Sequence, residues 1–277
     1  MPKGSGPFDP APPVGWNLRL RCPIARRRGA GSGENRGRPV PTGGVITGVL
    51  FIVATATSVA GSALSGPVLD RTNYLASLSA DANRVDAGLL LQIIAAGASV
   101  GIALAMYPVL RTWGRGLSLG SVVFRTIEAL LYIVAVVSAL SLLGVAQRFL
   151  GAEAVQRASF QAVGDSLQDV RDQANLAAVM AFSVGALMYY YLLYRFATRA
   201  PMAVWLGILA IVLTLVACLL ALFDHYPITT YVLLVLPIAV QEIVLAVWLI
   251  AKGFTSPGHL GVPLPDGTDT RFPVSTR

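Results

Sequence analysis

The chain is 277 residues long, 55% hydrophobic and 13% charged, with a formal net charge of +7. An ordinary soluble domain carries roughly 25% charged residues. A core made from this chain cannot take so much apolar surface out of water, which excludes a water-soluble globular protein.

Residues 1–42 are rich in Pro, Gly and Arg and show almost no apolar periodicity, which predicts a disordered leader. Its basic cluster, Arg19, Arg21, Arg26, Arg27, Arg28, Arg36 and Arg38, lies just ahead of an apolar run. Such a cluster suits anionic lipid headgroups at on the order of 1 kcal/mol per residue, or serves only to fix topology. A translation start downstream of Met1 is a further reading of the same segment. Phe8 and Trp16 are not interleaved with the arginines as base-stacking platforms would be, so no nucleic-acid partner is expected.

Six apolar runs follow, at 44–64, 89–110, 119–143, 176–196, 202–222 and 229–250. Each is long enough to cross about 30 Å of hydrocarbon at ~1.5 Å per helical residue. The first is too long for a cleavable signal and is expected to stay attached. Between the first two runs, Leu75, Leu78, Ala82 and Val85 recur at helical spacing. Phe160, Val163, Leu167, Val170 and Ala174 do the same between the third and fourth. Both loops are therefore predicted to hold an amphipathic helix lying on the outer leaflet or capping the bundle. The predicted fold is an all-α integral membrane protein: a six-transmembrane-helix bundle with two amphipathic outer-loop helices. Its membrane domain spans 43–253, and 254–277 forms a disordered cytoplasmic tail.

Basic residues in short loops set the orientation. Arg111, Arg115, Arg195, Arg199 and Lys252 fall on the side of the leader. The other side carries Asp70, Asp81, Asp86, Glu153, Asp165, Asp169, Asp172 and Asp224 against Arg71, Arg84, Arg148, Arg157 and Arg171. Both termini are expected to be cytoplasmic in a cell-membrane protein. Trp113, Tyr189, Tyr190, Tyr191, Tyr194 and Trp248 read as an inner aromatic belt, with Tyr226 and Tyr231 at the outer interface. The Gly97-Ala98-Ser99-Val100-Gly101 spacing predicts a close helix contact, within the chain or between copies of a homo-oligomer.

Two charged sites lie inside apolar runs, at Phe124-Arg125-Thr126-Ile127-Glu128 and at Gln241-Glu242. Charges at that depth are costly and mark where function concentrates. Arg125 and Glu128 share one helix face with Ser121 and Tyr132. Glu128 and Glu242 each lie about ten residues, or ~15 Å, from the inner ends of their helices, close to the midplane. The third and sixth helices are therefore expected to be neighbours sharing one pocket formed by Arg125, Glu128, Glu242, Gln241 and Tyr132. Ala239 and Ala246 flank Glu242, and Pro237 is placed to bend that helix. Two carboxylates for one guanidinium leave one negative charge, which a proton or an external cation would complete.

From about residue 44 to 253 the chain resembles the bacterial membrane family catalogued as domain of unknown function 4386. The resemblance rests on Gly48-Val49-Leu50-Phe51-Ile52, on the Phe124 to Glu128 motif, and on Leu236-Pro237 through Glu242 to Trp248-Leu249-Ile250-Ala251-Lys252-Gly253. It implies a six-helix integral membrane protein and brings no activity, cofactor or substrate with it.

Two readings of the charged site stay open: binding or transport of a small molecule, lipid or proton, and a buried ion pair that only fixes helix packing. An enzyme has least support. The two histidines, His225 in a turn and His259 in the tail, form no metal site, and Asp224-His225 lacks a third orienting group. Ser58, Ser183 and Cys218 are isolated, and Cys22 and Cys218 have no evident pairing. No catalytic residue, metal or cofactor is expected.

Overall fold

The computed structural model describes residues 42–71, 73–196 and 201–253. The leader with its arginine cluster and Cys22, the tail with His259, and Arg199 lie outside the described residues. The long helices are α1 (Thr42–Leu69), α3 (Ala82–Trp113), α4 (Arg115–Gly151), α5 (Ala154–Phe196), α6 (Pro201–Asp224) and α7 (Val232–Lys252). A short helix, α2 (Tyr74–Ala80), precedes α3, and a 3-10 turn at Ile228–Tyr231 leads into α7. Six of these helices are long and apolar enough to span a membrane. The protein is an all-α, multi-pass membrane protein.

Lipid explains the distribution of apolar side chains. Leu104, Leu130, Leu209 and Val240 are more than half exposed on the outside of the bundle, where water would penalise them and hydrocarbon does not. Inside, α1 packs on α3, α3 on α4, α4 on α5, α5 on α6, α6 on α7, and α7 back on α1. The six spans thus close a ring in chain order, as short connections between antiparallel helices favour. This corrects the expectation that the third and sixth spans are neighbours. In the ring α4 and α7 stand opposite each other and share no packed interface.

The ring is held most closely where side chains are smallest. A Cβ on Gly61 would come within 2.7 Å of the Gly88 carbonyl oxygen, and one on Gly88 within 2.9 Å of the Gly61 carbonyl oxygen. The backbones of α1 and α3 therefore touch there, as small residues permit in membranes. Gly48 meets α7 in the same way, 2.7 Å from the Ala246 carbonyl oxygen. Among the described residues the expected contact at Gly97 is not made: nothing lies within 4 Å of a Cβ built there, whereas one on Gly101 would lie 3.3 Å from the Leu50 side chain of α1. Gly97 sits on the outward face, so within the described residues only the Gly101 half of the motif meets another helix.

At one end of the ring, α4 and α5 run on together beyond the span lengths read from sequence. With 43 residues, α5 is about 65 Å long, twice the hydrocarbon thickness. The amphipathic segment at 160–174 is helical, in the form of the first half of α5. It faces inward through Gly164, Leu167, Arg171 and Ala174, whereas Val163 and Val170 are about half exposed. Leu75, Leu78 and Val85 are buried, but the first amphipathic segment is not one helix: it breaks at Asp81, with Leu75 and Leu78 on α2 and Ala82 and Val85 opening α3, and α2 caps this end over α4. The Tyr74 hydroxyl, seated against Gly164, donates 2.6 Å to Asp165 Oδ1. Burial, then the adjacent Asp165 carboxylate, pushes the Tyr74 phenol above its ordinary range, so it remains a neutral donor.

Because Gly61 abuts backbone and Gly97 abuts nothing, Gly61→Val should destabilise the protein by about 1–3 kcal/mol while Gly97→Val has little effect. Thermal unfolding in detergent measures both. Equal midpoints for the two variants would contradict the α1–α3 contact.

Candidate functional site

Thr55, Ser99 and Glu242 each lie near the middle of their helices, α1, α3 and α7. Together with Arg125 and Glu128 of α4 and Tyr189 of α5, they converge on the axis of the ring. Arg125, 2% exposed, is the hub. Its Nη1 donates to Ser99 Oγ at 3.0 Å and to Glu128 Oε2 at 3.3 Å. Its Nη2 faces Glu242 Oε1 at 3.5 Å and the Tyr189 hydroxyl at 3.4 Å. The guanidinium therefore bridges the ring, one edge toward its own helix and the other toward the opposite one, as a planar fork of donors allows.

The surrounding side chains hold this arrangement. Ser99 Oγ lies 3.1 Å from both Glu128 carboxylate oxygens, and Thr55 Oγ1 donates 2.9 Å to Glu242 Oε2. The Phe182 ring lies over the guanidinium, 4.5 Å from Cζ, a cation–π contact that is strong when desolvated. Arg125 Nε is buried and has no hydrogen-bond partner among the described residues. Behind Arg125, a Cβ on Gly185 would be 3.0 Å from Phe124 Cβ, so that glycine lets α5 bring Phe182 and Tyr189 close to α4.

The structure brings together Arg125, Glu128 and Glu242, and places Gln241 and Tyr132 elsewhere in role. Gln241 is fully buried, but it turns toward α5 and α6. There it accepts from the Tyr190 hydroxyl and donates 3.0 Å to the Ala203 carbonyl. Tyr132 is half-buried one turn from Glu128, and its hydroxyl makes no hydrogen bond among the described residues. α7 continues as a helix through Pro237. Asp224 accepts from Tyr231, and exposed His225 closes α6 with a φ of 58°.

Sequence reading missed Thr55, Ser99, Phe182 and Tyr189. Tyr189 and Tyr190 correct the aromatic-belt expectation, being 1% and 0% exposed at the ring's centre. Tyr191 and Tyr194, each 49% exposed, remain on the surface. The spacing of Phe182, Ala186, Tyr189 and Leu193 at four, three and four was the available signal for one buried face.

The profile of the family described as domain of unknown function (DUF4386) matches residues 46–253. The chain belongs to this family. Every residue of the charged cluster lies within the matched segment. Comparison with curated proteins and with solved structures gives no match.

Removing the base alone should be damaging. Arg125→Leu leaves Glu128 and Glu242 unpaired on the axis, and a loss of about 3–5 kcal/mol is expected, read from thermal unfolding in detergent. Adding Glu128→Gln and Glu242→Gln to that variant should restore most of the loss. A triple variant as unstable as the single one would mean that uncompensated charge is not the cause.

Proposed function

We propose that the protein binds a small solute or a proton at the Arg125–Glu128–Glu242 cluster and conducts it across the cell membrane. The observation carrying this reading is one guanidinium shared by two carboxylates on opposite helices of a closed ring, at mid-height. With both acids ionised the cluster holds one negative charge in excess, which a proton or a cationic ligand neutralises. Glu242 is the more open acid, its side chain 12% exposed against 5% for Glu128. It faces the axis rather than lipid, which favours a small solute or proton over a lipid molecule.

A second reading has its own support. Ser99, Thr55, Tyr189 and Phe182 occupy the space around Arg125, as in a cluster that only fixes how opposite helices face each other. Proteoliposomes loaded with a pH-sensitive dye separate the two. Wild-type protein should dissipate an imposed pH gradient faster than protein-free vesicles, and Glu242→Gln should slow this at least tenfold while keeping the fold. Equal rates in the two proteins, with no molecule retained in native mass spectrometry, would leave the packing reading.

We further propose that both termini face the cytoplasm. Arg111, Arg115, Arg195 and Lys252 gather at the end of the ring opposite α2, in keeping with the bias of cytoplasmic loops. With Cys22 and Cys218 replaced, a membrane-impermeant maleimide added to intact cells should label Ser79→Cys and spare Gly116→Cys. The reverse pattern inverts the topology. The leader's arginines would hold anionic headgroups, and deletion of residues 1–41 should lower co-purification of anionic lipid. Self-association is open to the same native mass spectra.

A further inference from the structure

At the α2 end of the ring a cleft of about 90 Å³ opens between α1, α3, α4, α5 and the turn before α7. It is lined by Ser65, Asp70, Gln92, Arg171, Asp172 and Asn175 together with small and apolar residues. Arg171, only 8% exposed, is its anchor. Nη2 of Arg171 lies 2.7 Å from Asp70 Oδ1 and 2.7 Å from Asp172 Oδ1, and its Nε donates 2.8 Å to the same Asp172 oxygen. Gln92 Nε2 reaches Ser65 Oγ at 3.4 Å, leaving its carbonyl oxygen as a further acceptor.

Two features connect this cleft to the buried cluster. The first is register. Ser62, Gln92, Ala135 and Asn175 line the cleft, and each lies seven residues from a member of the cluster: Thr55, Ser99, Glu128 and Phe182 respectively. Seven residues are two helical turns, so each pair shares a helix face about 10 Å apart, and the cleft stands directly above the cluster on the axis. The second is charge. Like Arg125, Arg171 is one guanidinium between two carboxylates, so this polar site also carries one negative charge in excess. Both acids spend Oδ1 on Arg171, which leaves the Oδ2 atoms as acceptors, with Asp70 Oδ2 beside Gly66 of the cleft wall.

We propose that the cleft binds a small organic monocation of the alkylammonium class, and that it is the first station on the route to the Arg125 cluster. The volume accommodates on the order of three or four non-hydrogen atoms, given that a 150 Å³ cavity takes benzene. An ammonium head offers N–H donors to the two free carboxylate oxygens and the Gln92 amide carbonyl, and its charge completes the balance. This proposal rests on the reading of the inner cluster as a binding site and names the solute class for it.

Equilibrium dialysis of labelled methylammonium against the full chain in detergent, at constant ionic strength, tests it. Wild-type protein should show two binding stoichiometric equivalents. Asp70→Asn with Asp172→Asn should weaken one of them at least tenfold and leave the other, whereas Glu242→Gln should do the converse. Ser62→Leu, which fills the cleft without touching the Arg171 pairs, should also remove the first and guards against misfolding of the aspartate variant. Two equivalents retained in both cleft variants overturn the proposal, as does glycine binding the cleft as tightly as methylammonium. A single equivalent in wild-type protein, abolished by the cleft variants and unchanged by Glu242→Gln, would defeat the reading of the inner cluster while leaving the cleft, so the two fail separately.

Discussion

A single guanidinium spans the axis of this protein. α4 and α7 face each other across the ring without packing, so the contact of Arg125 on α4 with Glu242 on α7 is what joins them. The rest of the core is organised around that bridge. Thr55 of α1, Ser99 of α3, and Phe182 and Tyr189 of α5 all address it, and α6 is tied to its flank through Gln241 and the Ala203 carbonyl. The close approaches at Gly48 and Gly185 draw the flanking backbones near enough for these short side chains to reach. Charge in hydrocarbon is tolerated only when it is paired and hydrogen-bonded, and here the pairing is also what spans the ring.

The spans and the charged residues were legible in the sequence because each depends on a property that one helix displays alone. A long apolar run needs no partner to be recognised, and Arg125, Glu128 and Glu242 stand out within theirs. What the sequence did not disclose depends on how helices are arranged around one another. Thr55 and Ser99 are single hydroxyls in apolar runs, where such residues commonly bond their own helix, as Thr47, Thr57 and Ser183 do here. Tyr189 and Tyr190 sit beside Tyr191 near a helix end, so the three read together as an interface belt although two of them turn inward. The placement of α4 opposite α7 is a property of ring closure, and matching depths in two helices cannot separate neighbours from opposites.

The segment at 160–174 shows the same limit from another side. Its periodicity correctly indicated a helix, yet no proline or turn sequence separates it from the following span, so the helix simply continues. The continuation then makes Arg171 an interior residue rather than one of several loop charges. Its inward face is set by Gly164 against Tyr74 and by Ser138 Oγ donating to the Leu167 carbonyl. Those contacts rotate Arg171 toward Asp70 and leave Val163 and Val170 outside.

The two arginine clusters differ in how firmly they are closed. Arg171 meets both partners at 2.7 Å, within the usual range for a charge-assisted hydrogen bond. Arg125 meets its two carboxylates at 3.3 and 3.5 Å, and its Nε has no partner among the described residues. A pair selected only to fix packing gains most from short contacts that use every donor, since desolvation of the charges has already been incurred. The looser inner geometry lies at the centre of a ring whose opposite sides are joined by little else. A proton arriving at Glu242, or a cation competing with Arg125 for it, would therefore weaken the bridge between α4 and α7 directly. On the proposed binding role, that would be the route by which occupancy on the axis moves one side of the ring against the other.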